Sequence, residues 1–186
     1  MTLAQRCQSI ELILSDVDGV LTDGSIVYDN QGIETKRFFV RDGLGIRLWQ
    51  RAGGKFGLVT ARSSHIVKVR AAELGIEIVR QGVEHKLAAM KEVLAELNLK
   101  PEQTCYIGDD LPDLSAMQHV GLAVAAGDAG EEVRQAAHYV TAAVGGRGAA
   151  GYVTKAAGGH GAVREAIEMI LQAQGRWDDL IQKYDA

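Results

Sequence analysis

Leu12-Ile13-Leu14-Ser15-Asp16-Val17-Asp18-Gly19-Val20 is the stretch on which the reading of this chain turns. An apolar run with strand character stops at two aspartates spaced i, i+2, and a glycine follows. Side chains alternate along a strand, so Asp16 and Asp18 share a face only if the strand stays regular. If the strand ends there, Gly19 permits a sharp turn that lets both carboxylates converge on one point at the sheet edge. Two convergent carboxylates suit a hard divalent cation and a phosphoryl group, one acting as nucleophile and the other as acid and base. Standing alone, the same residues equally describe a strand end with two solvated aspartates.

Outward from this stretch, strand-like runs at 10–15, 55–59, 77–79, 104–107, 121–124 and 139–141 alternate with helical periodicity at 43–51, 63–74, 84–97, 112–118, 131–137 and 162–172. The alternation predicts an α/β fold, a Rossmann-like, doubly wound and mostly parallel sheet. Ligands of such sheets bind beyond the C-terminal strand ends, where Asp16, Thr60 and Asp109 all fall. Two segments interrupt the pattern. Residues 25–28 and 34–40 are strand-like around the turn Asp29-Asn30-Gln31-Gly32, which predicts a β-hairpin within 24–40. An isolated hairpin is marginal in water, so it should pack on the domain or on another subunit. A glycine-rich tail at 142–161 holds most of a near-repeat with a period of 13, Tyr139 to Ala149 against Tyr152 to Ala162. Two copies are too few for a solenoid, and a duplicated loop ahead of C-terminal helices within 162–186 fits better than a plain linker.

The 186 residues, 47% hydrophobic and 24% charged, are expected to form one domain with a sizeable core. A net charge of −4 argues against nucleic acid and anionic membrane surfaces as partners, so an anionic substrate needs a local basic pocket. Cys7 and Cys105 form neither a disulfide framework nor a ligand cluster. With no leader-like opening and no run of membrane-spanning length, the cytoplasm is the expected compartment.

Four features fall in order at the predicted catalytic edge. After Asp16 and Asp18 comes Thr60, ending the run Phe56-Gly57-Leu58-Val59, with a hydroxyl and a following backbone N–H suited to phosphoryl oxygens. Lys86 opens a helical segment and can neutralise a phosphate as a point charge, although a lone lysine there is more often solvated. Gly108-Asp109-Asp110-Leu111-Pro112-Asp113 closes another apolar run. Helix capping accounts for Asp110 and Asp113 equally well, and for Asp109 less well, since that residue ends the strand.

This order resembles the haloacid dehalogenase-like phosphatase superfamily over most of the chain. The resemblance implies that Asp16 attacks phosphorus and becomes an aspartyl phosphate, and that Asp18 protonates the leaving oxygen and then activates water. Mg²⁺ would be held by Asp16, the backbone carbonyl of Asp18 and Asp109, with Asp110 and Asp113 supporting these ligands from behind. Thr60 and Lys86 would orient and neutralise the phosphoryl group. From Asp18 to Thr60 there is room only for the hairpin and a helix, and from Thr60 to Lys86 only for a helix and a short strand, so no cap domain is expected. An open site takes a large substrate or borrows a lid, and the hairpin and tail are the candidate lids.

More closely, Asp16 to Gly24, Phe39 to Arg47, Thr60-Ala61-Arg62, Gln81 to Lys86, Gly108-Asp109-Asp110 and Gly159 to Glu165 resemble the 3-deoxy-D-manno-octulosonate 8-phosphate phosphatases. This implies hydrolysis of that sugar-acid phosphate in lipopolysaccharide precursor synthesis, and a homotetramer in which the tail of one subunit covers a neighbour's site. Phe39, Val40, Arg41, Asp42, Gly43, Arg47, Arg62 and Arg70 would contact the sugar acid or its phosphate. The family's single Gly-Gly-Arg-Gly-Ala-Val-Arg-Glu run is split here. Arg147 lies in the first copy and His160 takes the arginine position in the second, and Arg147 is the favoured contact because a guanidinium binds oxyanions bidentately. The competing readings are a phosphatase for a nine-carbon ulosonate 9-phosphate, a phosphorylation-dependent switch, and an inactive oligomeric scaffold.

Overall fold

The computed structural model describes residues 1–142 and 161–184. Arg147 and His160 lie outside the described residues, as does most of the duplicated tail. The elements run α1 Leu3–Gln8, β1 Leu12–Ser15, β2 Val27–Tyr28, β3 Glu34–Thr35, α2 Val40–Arg51, β4 Lys55–Val59, α3 His65–Leu74, β5 Ile78–Arg80, α4 Lys86–Leu97, β6 Thr104–Gly108, α5 Leu114–Met117, β7 Leu122–Ala125, α6 Glu131–Ala136, β8 Tyr139–Val140, α7 Ala162–Ala173 and α8 Trp177–Ile181. Six strands form one parallel sheet in the order β5-β4-β1-β6-β7-β8, and β2 and β3 form a separate antiparallel hairpin. The doubly wound α/β fold predicted from the alternation is therefore the observed one. Among the described residues no helix is long and apolar enough to cross a membrane.

Alternation along the strands divides the core in two. Ile13, Phe56, Leu58, Cys105 and Ile107 face a layer built by α1, α2, α3 and α7, in which Trp49, Ile46, Val163, Ile167 and Ile170 are buried. Leu12, Leu14, Val59, Tyr106 and Ala123 face the opposite layer, with Met90 and Val93 from α4 and Met117 from α5. The central strands are apolar on both faces because helices cover both. The chain order sets the site. From β1 the chain winds outward through β4 and β5, then returns to the other side of β1 as β6, so β1 and β6 flank the switch point where such sheets open a crevice. Ser15 pairs with Leu58 and with Ile107, which brings Asp16, Thr60 and Asp109 to one edge.

Several boundaries differ from the sequence reading. The hairpin strands are two residues each, and Val40 begins α2 rather than ending a strand. Phe38, Phe39 and Val40 are strand formers by composition, but Asp42 in the first turn of α2 reaches across to α7, where its Oδ1 accepts a hydrogen bond from the Arg164 N–H at 2.8 Å. That tertiary contact caps α7, whose own N-cap is Gly161, and outweighs local strand propensity. The segment read as a helix over 112–118 is a tight turn at Leu111–Asp113 followed by α5, and α3 and α4 start two residues later than their periodicity indicates. The sequence reading had no α1, and it placed C-terminal helices within 162–186 without bounding α8. The first helix had a signal, because Thr2 and Gln5 form a reciprocal capping box.

Candidate active site

Asp16 extends β1 by one bond, its N–H donating to Ile107 O at 3.0 Å, and then the chain turns sharply, with Leu21 and Thr22 N–H both returning to Val17 O. Gly19 sits in this turn at φ +90°. The Asp16 carboxylate is nearly buried, accepting the Val17 N–H at 2.6 Å and the Lys86 ammonium at 2.7 Å. Lys86 is the first residue of α4 and is 2% exposed, so here it is no solvated surface lysine. Its second partner is Asp113 Oδ1 at 2.6 Å.

Asp113 is the hub beneath the edge. Oδ1 also accepts the Tyr106 hydroxyl at 2.9 Å, and Oδ2 accepts the Asp109 and Asp110 N–H groups at 3.1 and 3.3 Å. Gly108 permits this, since a Cβ there would stand 2.5 Å from the Asp113 Cβ. Asp110 has the capping role instead, accepting Leu111 N–H at 2.8 Å from an exposed position. Oxygens of Asp16, Asp109 and Asp113 all lie within 4.8 Å of one another. Both Asp113 oxygens already carry two donors, which leaves Asp16 and Asp109 as the carboxylates open toward the crevice. Asp109 Oδ1 is buried with no hydrogen-bond partner among the described residues.

Lys86 thus pairs with two carboxylates, and an oxygen of a third, Asp109, lies within 4.8 Å of oxygens of both. Burial, reinforced by the charges of Asp16 and Asp113, raises the Asp109 pKa to about 8. Burial and then Asp113 raise Asp16 above its ordinary value, against the pull of Lys86. For Lys86 burial acts downward, but the two carboxylates outweigh it and hold its pKa raised. A divalent cation relieves this excess of negative charge, and hard oxygen donors with one buried oxygen unpartnered fit such an ion.

The two aspartates of the opening motif take different partners. β1 ends at Ser15, and the turn beyond it sends Asp18 to the hairpin side, where its Oδ1 accepts from Lys36 and its Oδ2 lies 3.6 Å from Arg62 Nε. Among the described residues Asp18 Oδ2 and Arg62 Nε, both buried, have no hydrogen-bond partner. Thr60, 2% exposed, is fixed through its backbone, donating to Arg80 O and accepting from Val83 N–H. The arginines have different partners. Arg62 donates to Glu34 at 2.7 Å and to the Tyr28 hydroxyl at 3.3 Å, both on the hairpin. Arg47 donates to Glu73 O, and Arg70 pairs with the Glu73 carboxylate at 2.8 Å and stacks on Phe38. Arg41 is exposed on α2 beside Phe39 and Val40, whereas Asp42 and Gly43 are buried.

Lys36, Glu34 and Ser64 belong to the network of Asp18 and Arg62, Tyr106 belongs to the hub of Asp113, and none of the four was singled out from the sequence. Ser64 Oγ donates to Glu34 Oε2 at 2.6 Å, and this bond, together with Arg62 and Lys36, lowers the Glu34 pKa to about 2 despite partial burial. The one available signal was Glu34 and Lys36 at i, i+2 in a strand-like run, which puts them on one face.

The sheet order and the acidic switch point define a haloacid dehalogenase-like hydrolase, and the chain matches that family over residues 60–151. The resemblance extends beyond the class. The chain is 44% identical over 172 residues to the 3-deoxy-D-manno-octulosonate 8-phosphate phosphatase of Yersinia pestis, covering 92% of this chain and 85% of the relative. It superimposes with a TM-score of 0.89 and 38% identity on that phosphatase from Moraxella catarrhalis, solved with magnesium, phosphate and the sugar acid, over 97% of both chains. A cobalt-bound phosphatase of the same kind from Haemophilus influenzae gives a TM-score of 0.86 at 37% identity, over 98% of this chain and all of that one. The chain belongs to the 3-deoxy-D-manno-octulosonate 8-phosphate phosphatase family.

Proposed function

We propose that the protein hydrolyses 3-deoxy-D-manno-octulosonate 8-phosphate to the free sugar acid and phosphate, with magnesium as its cofactor. The observation that carries this is the cluster of three carboxylates at the β1/β6 switch point, Asp16 and Asp113 paired with Lys86 and one Asp109 oxygen without a hydrogen-bond partner among the described residues, in a chain so similar to phosphatases of that substrate. Asp16 is the nucleophile. Its oxygen forms a bond to phosphorus as the bond from phosphorus to the sugar oxygen breaks, and Asp18 supplies the proton that this oxygen takes. Asp18 then removes a proton from the water that splits the aspartyl phosphate. Asp16, the Asp18 carbonyl and Asp109 would hold magnesium, which when bound offsets the charge of the phosphoryl group against an anionic nucleophile. Lys86 and Thr60 orient the phosphoryl oxygens. Asp113 fixes Lys86 and the loop that carries Asp109, and Asp110 caps that loop. Phe39, Val40, Arg41, Asp42, Gly43, Arg47, Arg62, Arg70 and Arg147 form the proposed contacts to the sugar acid.

Asp16→Asn should abolish turnover of this substrate and of a generic phosphate ester while far-ultraviolet circular dichroism stays unchanged. Normal turnover by that variant removes the assignment. The ratio of kcat/KM for the eight-carbon 8-phosphate to that for a nine-carbon ulosonate 9-phosphate decides the substrate.

The same proposal includes a homotetramer built on the hairpin and a cytoplasmic location. Ile26, Val27, Tyr28 and Ile33 expose half or more of their surface on a two-stranded hairpin, an apolar patch that a second copy would cover. Ile26→Asp combined with Ile33→Asp should lower the mass measured by light scattering. The two cysteines, buried and free, suit a reducing compartment. For the tail, Arg147→Ala should cost more activity than deletion of 151–160, and the reverse ranking assigns the second copy to the site.

A further inference from the structure

The hairpin does more than present an apolar patch. Lys36, just beyond β3, carries a side chain only 1% exposed, and its ammonium donates to Asp18 Oδ1. Glu34 Oε1 lies 3.4 Å from the same ammonium, and the Glu34 carboxylate is tied in turn to Arg62 and Ser64 beside Thr60. Thr22 Oγ1 adds a long donor to Asp18 Oδ1 at 3.4 Å. So one Asp18 oxygen has two donors, and the other, Oδ2, is buried with no hydrogen-bond partner among the described residues and faces Arg62 Nε at 3.6 Å. A buried lysine survives only where its charge is paired, and here the pairing fixes the orientation of a carboxylate that sits at the end of a turn.

We propose that Lys36 is a positioning residue for the phosphoryl-transfer step, pinning Asp18 Oδ1 so that Oδ2 is the atom that hands the proton to the leaving oxygen. This rests on the role given to Asp18 above and adds to it the source of its geometry. As the bond from Asp16 to phosphorus forms and the bond from phosphorus to the leaving oxygen breaks, the electron pair stays on that oxygen, which takes the proton from Oδ2. Without Lys36 only the long Thr22 bond and Arg62 at 3.6 Å restrain the carboxylate, and the leaving oxygen departs with more of its negative charge. The loss is then greatest for poor leaving groups, whatever the substrate's recognition by the arginines.

The test is the dependence of kcat/KM on leaving-group acidity across substituted phenyl phosphates, with magnesium, for wild type, K36M, K36R and Asp18→Asn. These esters lack the sugar carboxylate, and kcat/KM reports the first step alone. Wild type should show a shallow dependence and Asp18→Asn a steep one. K36M should stay within about threefold of wild type on p-nitrophenyl phosphate yet fall at least about tenfold on phenyl phosphate, and K36R should recover most of that loss. Should K36M not fold, Lys36→Gln carries the same test with an intermediate dependence. An even loss on all esters with the wild-type dependence overturns the proposal, because it marks a hairpin that only packs. If Asp18→Asn itself keeps the shallow dependence, the role of Asp18 falls and this inference with it, whereas a steep Asp18→Asn beside a shallow K36M overturns the inference alone.

Discussion

A Cβ on Gly19 would stand 1.9 Å from a carboxylate oxygen of Asp109. The glycine of the first motif therefore sets how closely the β1 turn approaches the loop after β6. Gly19 also has φ +90°, where an L-residue is strained. Gly19→Ala should push the Asp109 carboxylate aside and cost about 1–2 kcal/mol of backbone strain. The expected outcome is at least about a hundredfold loss in kcat/KM with a weakened response to magnesium, measured by metal titration of activity. Unchanged metal dependence contradicts the close approach.

Excess negative charge around Lys86 makes magnesium a stabilising ligand. At about a hundred times its dissociation constant the ion should add about 2.7 kcal/mol and raise Tm by several degrees. Asp109→Asn removes one of the two open carboxylates and should abolish most of that rise. Differential scanning calorimetry with and without magnesium, and with a chelator, reads both.

Asp113 and Asp110 are near neighbours with different energetic weights. Asp113→Ala strips Lys86, Tyr106 and two backbone N–H groups of their acceptor at a fully buried position and should cost about 3–5 kcal/mol. Asp110→Ala loses a cap and should cost about 1 kcal/mol. Urea unfolding ranks them, and equal costs would deny Asp113 its hub role.

Burial raises the Asp42 pKa to about 7, opposed by its bond from Arg164 N–H and the charges of Arg164 and Arg70. The folded chain keeps this proton up to about pH 7, while the unfolded chain loses it near 3.8. Between those values the unfolded state holds fewer protons, so stability falls as pH rises from about 4 to about 7 and is level on either side. The fall attributable to Asp42 is at most about 4 kcal/mol. Asp42→Asn should therefore match wild type more closely near pH 4 and exceed it near pH 8 in urea unfolding. A difference between the two that does not vary with pH rejects a proton on Asp42.

The parallel sheet, the strand ends bearing Asp16, Thr60 and Asp109, and the absence of room for a cap were legible in the sequence. Apolar runs of strand length alternating with helical periodicity leave few topologies, and these place chemistry at the C-terminal edge. Phosphatase motifs in fixed order added the class. What the sequence misjudged was local. The residues 38–40 read as strand because their propensity is strand-like, and the reach of Asp42 to α7 is invisible at a separation of 122 residues.

Spacing alone fixed which carboxylates stand at the edge, because a parallel sheet brings the C-terminal ends of its strands to one side. It did not fix where they point. Asp16 turns to Lys86 and Asp18 to Lys36, Asp113 supports from below while Asp110 caps, and each choice depends on a partner from a distant segment. A buried charge is tolerable only beside its counter-charge, and which counter-charge arrives is decided by packing, so the roles within the constellation belong to the tertiary structure.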